Sequence, residues 1–323
     1  MGSVTILRAG PLTTVQDLGR ARHRREGVSL GGALDRVATQ VANLLIGNPE
    51  NAALLEVTLG RMRLGFSDAR LIAWCGGEFR INCGDETVPP GHACVVRAGE
   101  QLEITPGGRG CRAWIAISGG IDVPLVLGSR ATDLRAGFGG WQGRALQDGE
   151  QLPLGEFNSS LQNLPRVSSW SAPREWGQPA ERYPILRVIR GAEWAEFSES
   201  SHHALLEEPF VVSPKSDRMG ARLEGKGVTR ARPNERLSEP VAPGTIQVPD
   251  DGQPIILLGD CQTIGGYPKI AHVITIDLAR AAQLRPGDFI RFVEVSAREA
   301  ALLAREHEEE LQRFRVGLQL RTR

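Results

Sequence analysis

An apolar run ending at Leu257 and Leu258 opens into Asp260, Gln262, Thr263, Gly265, Gly266, Tyr267 and Lys269. That one loop carries a carboxylate, an amide, a hydroxyl, a phenol and an ammonium. A glycine pair lets the backbone bend through positive φ and lets a ligand approach the main chain. Such a set suits a small polar substrate. Asp260 is the candidate general base, Gln262, Thr263 and the Gly265-Gly266 backbone are candidate hydrogen-bond donors, and Tyr267 and Lys269 complete the pocket. A hydrogen-bonded surface turn is the plainer reading of the same residues.

Other segments offer matching chemistry. Gln16-Asp17-Leu18-Gly19-Arg20 places an acid and a guanidinium three residues apart. It reads either as an internal Asp17–Arg20 ion pair or as an anion site in which Asp17 orients Arg20. Ser216-Asp217-Arg218-Met219-Gly220 repeats the acid–arginine pairing beside Lys215. Asp217 and Lys215 are further candidates for acid–base work, and Arg218 for holding a carboxylate or phosphate, while a solvated side chain is the alternative for Lys215. Gln247 and the Ser118-Gly119-Gly120 turn bring amide and backbone donors to strand ends.

The elements that must position these residues are mostly strands. Short β-rich runs recur at 71–74, 93–96, 113–117, 185–189, 255–258 and 272–276, bounded by Gly, Pro and Asp. That spacing belongs to antiparallel sandwiches or barrels. A helix is predicted from Asp35 to Ile46, with Asp35 as N-cap and Gly47 and Pro49 as its stop. A charged helix is predicted over about 298–314. A Gly-acid turn followed by an alternating strand occurs at 98–104, 148–154 and 286–292. Two β-rich domains follow, 1–155 and 183–296, joined by a Ser/Pro/Gln-rich linker at 156–182 and followed by a C-terminal helix and tail at 297–323.

Composition narrows the function. Lys plus Arg and Asp plus Glu number 38 each, so the net charge is zero. Neither nucleic acid nor an anionic membrane is an expected partner, because both need a basic excess. No apolar run is long enough to span a bilayer and the N-terminus lacks a secretory signal, so a cytoplasmic protein is expected. The cysteines Cys75, Cys83, Cys94, Cys111 and Cys261 show neither a disulfide framework nor zinc spacing. No histidine lies in a metal-binding pattern, so no metal is expected.

Gly10-Pro11-Leu12-Thr13-Thr14-Val15-Gln16-Asp17-Leu18-Gly19-Arg20, Gly31-Gly32-Ala33-Leu34-Asp35, Ser118-Gly119-Gly120-Ile121-Asp122, Ser213-Pro214-Lys215-Ser216-Asp217-Arg218 and the 257–270 loop occur in this order. With them the chain, over about residues 4–293, resembles the Kip-type family of 5-oxoprolinase C subunits. That family is also called allophanate hydrolase subunit 2, or the biotin-dependent carboxyltransferase family. The resemblance implies two cyclophilin-like β-barrel domains. It implies ATP-dependent opening of the lactam of 5-oxo-L-proline to glutamate, together with a Kip-inhibitor-like B subunit and a separate A subunit, the chain alone being inactive. Carboxyl transfer to urea from biotin is the alternative, and a non-catalytic Kip-type regulator a second. No P-loop is present, so ATP is expected to be shared with the partners. No biotinyl Met-Lys-Met site is present either, so biotin would arrive on another polypeptide or domain.

Overall fold

The computed structural model describes residues 2–157, 161, 164–177, 181, 183–231 and 237–321. The chain divides into two compact units. Unit 1 takes residues 1–20, 31–180 and 317–323, and unit 2 takes 21–30 and 181–316.

In unit 1 the strands are β1 (Ser3–Arg8), β2 (Leu12–Gln16), β3 (Leu54–Thr58), β4 (Met62–Phe66), β5 (Arg70–Gly76), β6 (Phe79–Cys83), β7 (Glu86–Thr87), β8 (Ala93–Val96), β9 (Gln101–Pro106), β10 (Arg112–Ile117) and β11 (Gln151–Pro153). They form one sheet of order β11-β1-β4-β9-β6-β7 and another of order β2-β3-β10-β5-β8. Alternate residues of both sheets, among them Ile6, Leu64, Ile81, Leu102, Trp74 and Ile115, enter one apolar core. Each such buried side chain contributes about 1.5–3 kcal/mol. Helix α1 (Arg36–Leu45) begins where the sequence predicts, because the Asp35 carboxylate accepts the Ala38 N–H at 2.9 Å.

Most of the segment expected to be a linker is built into unit 1. Arg166 O accepts the Val95 N–H, Ser168 N–H donates to Ala93 O, and Ala172 N–H donates to Gly91 O. Short helix α2 (Arg174–Gly177) carries the buried Trp176. Polar composition suggested a free linker, yet these backbone groups find partners along β8. Residues 158–160, 162–163, 178–180 and 182 of that linker, and 322–323 of the tail, lie outside the described residues.

Unit 2 contains β12 (Ile185–Arg190), α3 (Glu199–Glu207), β13 (Phe210–Val212), β14 (Gly220–Glu224), β15 (Glu239–Pro240), β16 (Thr245–Gln247), β17 (Ile255–Leu257), β18 (Ile264–Gly265), β19 (Lys269–Val273), α4 (Leu278–Ala281) and β20 (Phe289–Glu294). Seven strands close a barrel in the order β12-β19-β16-β17-β14-β13-β20. Leu186, Phe210, Ile246, Ile256, Ile290 and Phe292 are all essentially solvent-free. Strands β15 and β18 pair separately as a two-stranded sheet. Thr275–Asp277 leaves the expected 272–276 strand as a 3-10 turn. Helix α5 runs over Ala297–Arg321, longer than the predicted stretch. No helix among the described residues is long and apolar enough to cross a membrane.

The three Gly-acid turns share one geometry. Gly99, Gly149 and Gly287 all have φ between 80 and 89°, which only glycine adopts freely. Their N–H groups donate to Phe66, Ile6 and Val212 carbonyls on neighbouring strands. The acids Glu100, Glu150 and Asp288 then accept the N–H three residues back, at 2.7, 2.7 and 2.8 Å. Each turn is thereby closed before its strand begins.

Candidate functional site

In unit 2 the β16–β19 pairing sets Gln247 opposite Lys269, after a register shift between Ile246 and Gln247. Gln247 donates from Nε2 to Tyr267 O at 3.1 Å and accepts from Gln262 Nε2 at 3.4 Å. Gly265 lies against both amides, since a Cβ there would come within 2.8 Å of Gln247 Nε2 and 3.2 Å of Gln262 Nε2. The loop can rest on this amide pair only with glycine at that point. Val241 N–H donates to Thr263 O, and Glu239 is the ladder partner of Gly265. Tyr267 is half exposed.

Lys269 is buried and lies between two carboxylates. Its Nζ is 3.3 Å from Glu193 Oε1 and pairs with Glu239, while its backbone N–H donates to Glu193 Oε2 at 2.7 Å. Gly191 permits this, because a Cβ there would collide with Lys269 O. Burial works against the Lys269 charge, but Glu239 and Glu193 hold the ammonium above its ordinary range. His272 on the same strand is depressed by burial, with Glu193 acting against that shift and Lys269 with it. It is therefore a neutral imidazole beside a carboxylate and an ammonium. Glu193, Glu239 and His272 were not singled out in the sequence. Glu193 follows Gly191-Ala192 and precedes a Trp, with no motif around it to mark its role.

Asp260 does not occupy the solvent-facing place expected of a loop base. Arg218 and Asp260 are 4 % and 6 % exposed, and they pair through Nε–Oδ2 at 2.8 Å and Nη2–Oδ1 at 3.1 Å. Asp260 N–H also donates to Arg218 O, and Leu258 N–H to Met219 O. The pair ties the start of the 260–269 loop to the 216–220 loop. Nor does Asp217 pair with Arg218: its carboxylate accepts the Met219 and Gly220 N–H groups at 2.8 and 3.1 Å. Asp217 shapes a turn. Lys215 is exposed, with its backbone N–H on Ser213 Oγ at 3.4 Å. Cys261 is fully buried, and burial pushes its thiol up to about 11, although Arg24 pulls the other way. A thiol so placed is a poor nucleophile.

Gln16, Asp17 and Arg20 belong to unit 1. Asp17 accepts from Gly19 N–H, Ser129 Oγ and Arg130 N–H at 2.8, 2.6 and 2.6 Å. Arg20 donates to Ala131 O and Val126 O and lies over the Phe138 ring. Gln16 donates to Thr14 Oγ1 and Thr132 O. The expected Asp17–Arg20 couple is thus directed to the 126–132 loop, which both residues brace. At Ser118-Gly119-Gly120 the donors are taken, Gly119 N–H by Asn48 Oδ1 and Gly120 N–H by Ile117 O. Among the described residues no group of His, Cys, Asp and Glu could hold a metal ion.

The polar cluster of Gln247, Gln262, Lys269, Glu193 and Glu239 thus offers amide donors and acceptors and a fixed ammonium, with His272 opposite Thr245 further along β19. That arrangement can recognise a small amide, lactam or ureido group. The chain is 41% identical to the C subunit of the 5-oxoprolinase of Escherichia coli K12, over 91% of its own length and 92% of that protein. It is 31% identical to the urea amidolyase of Lachancea kluyveri, over 89% of this chain and 16% of that one. The solved urea amidolyase of K. lactis superposes with a TM-score of 0.88 at 30% identity, covering 97% of this chain and 20% of the other. The chain thus spans most of one relative but only about a fifth of the large urea-converting ones. Residues 26–294 match the model of the carboxyltransferase domain, subdomain A and B, and the chain belongs to that family.

Proposed function

We propose that this chain is the C subunit of an ATP-dependent 5-oxoprolinase, which opens 5-oxo-L-proline to L-glutamate together with A-type and B-type subunits. The identity to the Escherichia coli protein over nearly its full length carries this reading. The site chemistry supports it. A lactam presents one N–H and one C=O on the same edge. The Gln247–Gln262 amide pair offers an acceptor and a donor to match. Lys269 answers the substrate carboxylate, with Glu239 as the exposed carboxylate that gives way and Glu193 as the buried one that keeps the ammonium in place. His272 is the base that takes a proton from the attacking water, a role that passes to it from Asp260. Asp260 and Arg218 hold the loop that carries Gln262.

The site does not fit the triphosphate of ATP. Displacing Glu239 frees one cation, Lys269, which can answer a single carboxylate but not a triphosphate, while Arg218 stays held by Asp260. ATP is therefore assigned to the partner subunits, where phosphorylation of the amide oxygen would supply the leaving group. The test is 5-oxoproline-dependent ATP hydrolysis by the chain mixed with its A and B partners. Turnover is expected only from the full mixture, and undiminished turnover without this chain would remove it from the reaction.

A second reading rests on the urea amidolyase likeness. The same amide pair suits the ureido group of urea or biotin, so the chain would be a carboxyltransferase subunit with biotin carried on another polypeptide or domain. Urea-dependent bicarbonate incorporation in the presence of a biotinylated carrier, with no response to 5-oxoproline, would favour it.

A further inference from the structure

Helix α5 has two unlike faces. Leu311 is 2% exposed, and Ala304, His307, Phe314 and Leu318, all within about 60° of it around the helix, are partly buried. On the opposite face Leu302, Val316 and Leu320 are 52%, 44% and 69% exposed. Leu302 and Leu320 are about five turns apart, so they point the same way, directly away from Leu311. Between them that face carries Arg305, Glu309 and Arg313, all with exposed side chains. Glu309 is bridged from both sides, at 2.9 Å from Arg305 Nε and 3.9 Å from Arg313 Nη2. The outer face is therefore apolar at its two ends and charged in the middle. Exposed ion pairs of this kind add little to the helix. Three aliphatic side chains left in water along one helix face are a cost that a second surface removes.

We propose that this face pairs with the same face of a second copy of the chain, the two α5 helices lying antiparallel about a two-fold axis at the level of Leu311. In that register Leu302 of each copy faces Leu320 of the other, and Glu309 of each faces Arg313 of the other. Gly317 falls opposite Arg305 and leaves room for its long side chain. Every contact occurs twice, as an isologous interface requires. A parallel pair would set Glu309 against Glu309 and Arg313 against Arg313. Charge therefore selects the antiparallel orientation, while the leucines at the two ends supply the apolar contact. The face is about 27 Å long and one side-chain row wide. Such a contact buries less than about 1,200 Å², the range of reversible assemblies. The dimer is thus concentration-dependent, and it is independent of the chemistry assigned to the barrel site.

The test is sedimentation velocity of the full chain alone, from low to high micromolar concentration. A monomer–dimer equilibrium is expected. Glu309→Arg and Arg313→Glu should each weaken the dimer about tenfold, because each sets like charges across the axis. The variant carrying both changes should associate as the wild type does. That recovery requires position 309 of one copy to meet position 313 of the other. The double variant Leu302→Cys, Leu320→Cys fixes the register independently, even if a charge variant folds poorly. Its two new thiols are about 27 Å apart within one helix and can close only between copies, and the five native cysteines are buried. Mild oxidation is expected to give covalent dimers joined 302 to 320. A monomer at every concentration, a dimer unmoved by the charge changes, or a double charge variant no better than the single ones would each overturn the proposal. So would a monomeric chain whose Glu309→Arg variant loses affinity for the B-type subunit, since the face would then belong to that subunit.

Discussion

A buried guanidinium facing a buried carboxylate matters to a fold chiefly because neither can be left alone. Asp260→Asn would remove the negative charge from the nearly solvent-free Arg218–Asp260 pair. The expected loss is roughly 3–5 kcal/mol in urea unfolding, the usual cost of breaking a buried pair from one side. Stability unchanged with turnover abolished would return the base to Asp260. His272 carries the opposite expectation. His272→Gln should lower the turnover of the reconstituted complex by about 10²–10⁴-fold, with a stability change within ~1 kcal/mol. Because burial lowers its pKa, the imidazole stays neutral at acidities that protonate an ordinary histidine. The acid limb of the pH–rate profile should therefore fall below the usual imidazole range and disappear in the variant. A limb at or above that range would exclude His272.

At the scale of elements, the start of α1 holds a testable conflict. Asp35 caps the helix, yet burial raises its carboxyl from 3.8 to about 6, with the Ala38 and Val37 amides opposing and Glu56 adding to the rise. The folded state thus prefers the protonated acid. That preference contributes stability that is fully present below 3.8 and lost as pH rises through about 6. Above that pH the ionised cap is a burden of up to ~3 kcal/mol. Asn also caps helices and carries no charge. Asp35→Asn is therefore expected to be more stable than the wild type at pH 8, the gain shrinking to nothing towards pH 4, by urea unfolding at each pH. A constant difference across that range would show that Asp35 is not titrating in the fold.

For the whole molecule, the neutral charge balance and the kinship with proteins named as subunits lead to an assembly prediction. Coexpressed with the B-type subunit proposed as its partner, the chain should elute as one heteromeric species, burying more than ~2,000 Å² as obligate interfaces do. Two separate peaks at micromolar concentration would contradict this. The chain alone should show no 5-oxoproline-dependent ATP hydrolysis, since Lys269 can answer a single carboxylate but not a triphosphate and Arg218 is held by Asp260.

What the sequence determined by itself is local. Asp35 followed by an amphipathic run specifies a capped helix, and a Gly-acid pair specifies a turn with positive φ at Gly99, Gly149 and Gly287. Both depend on neighbours within a few residues, so both could be read directly. The family is also legible, because its motifs keep their order along the chain. The partners of each side chain are not. Asp260 finds Arg218 across 42 residues and Lys269 finds Glu193 across 76. These meetings follow from barrel closure, sheet packing and a register shift at Gln247, and a single-residue slip would send each side chain to the opposite face. Adjacent acid–arginine pairs looked like ion pairs in the sequence. In the fold Asp217 binds the amides of Met219 and Gly220, Asp17 binds those of Gly19 and Arg130 together with Ser129 Oγ, and their arginines reach elsewhere. Tertiary structure decided this, because an unpaired buried backbone N–H or guanidinium costs more than a solvated surface ion pair returns.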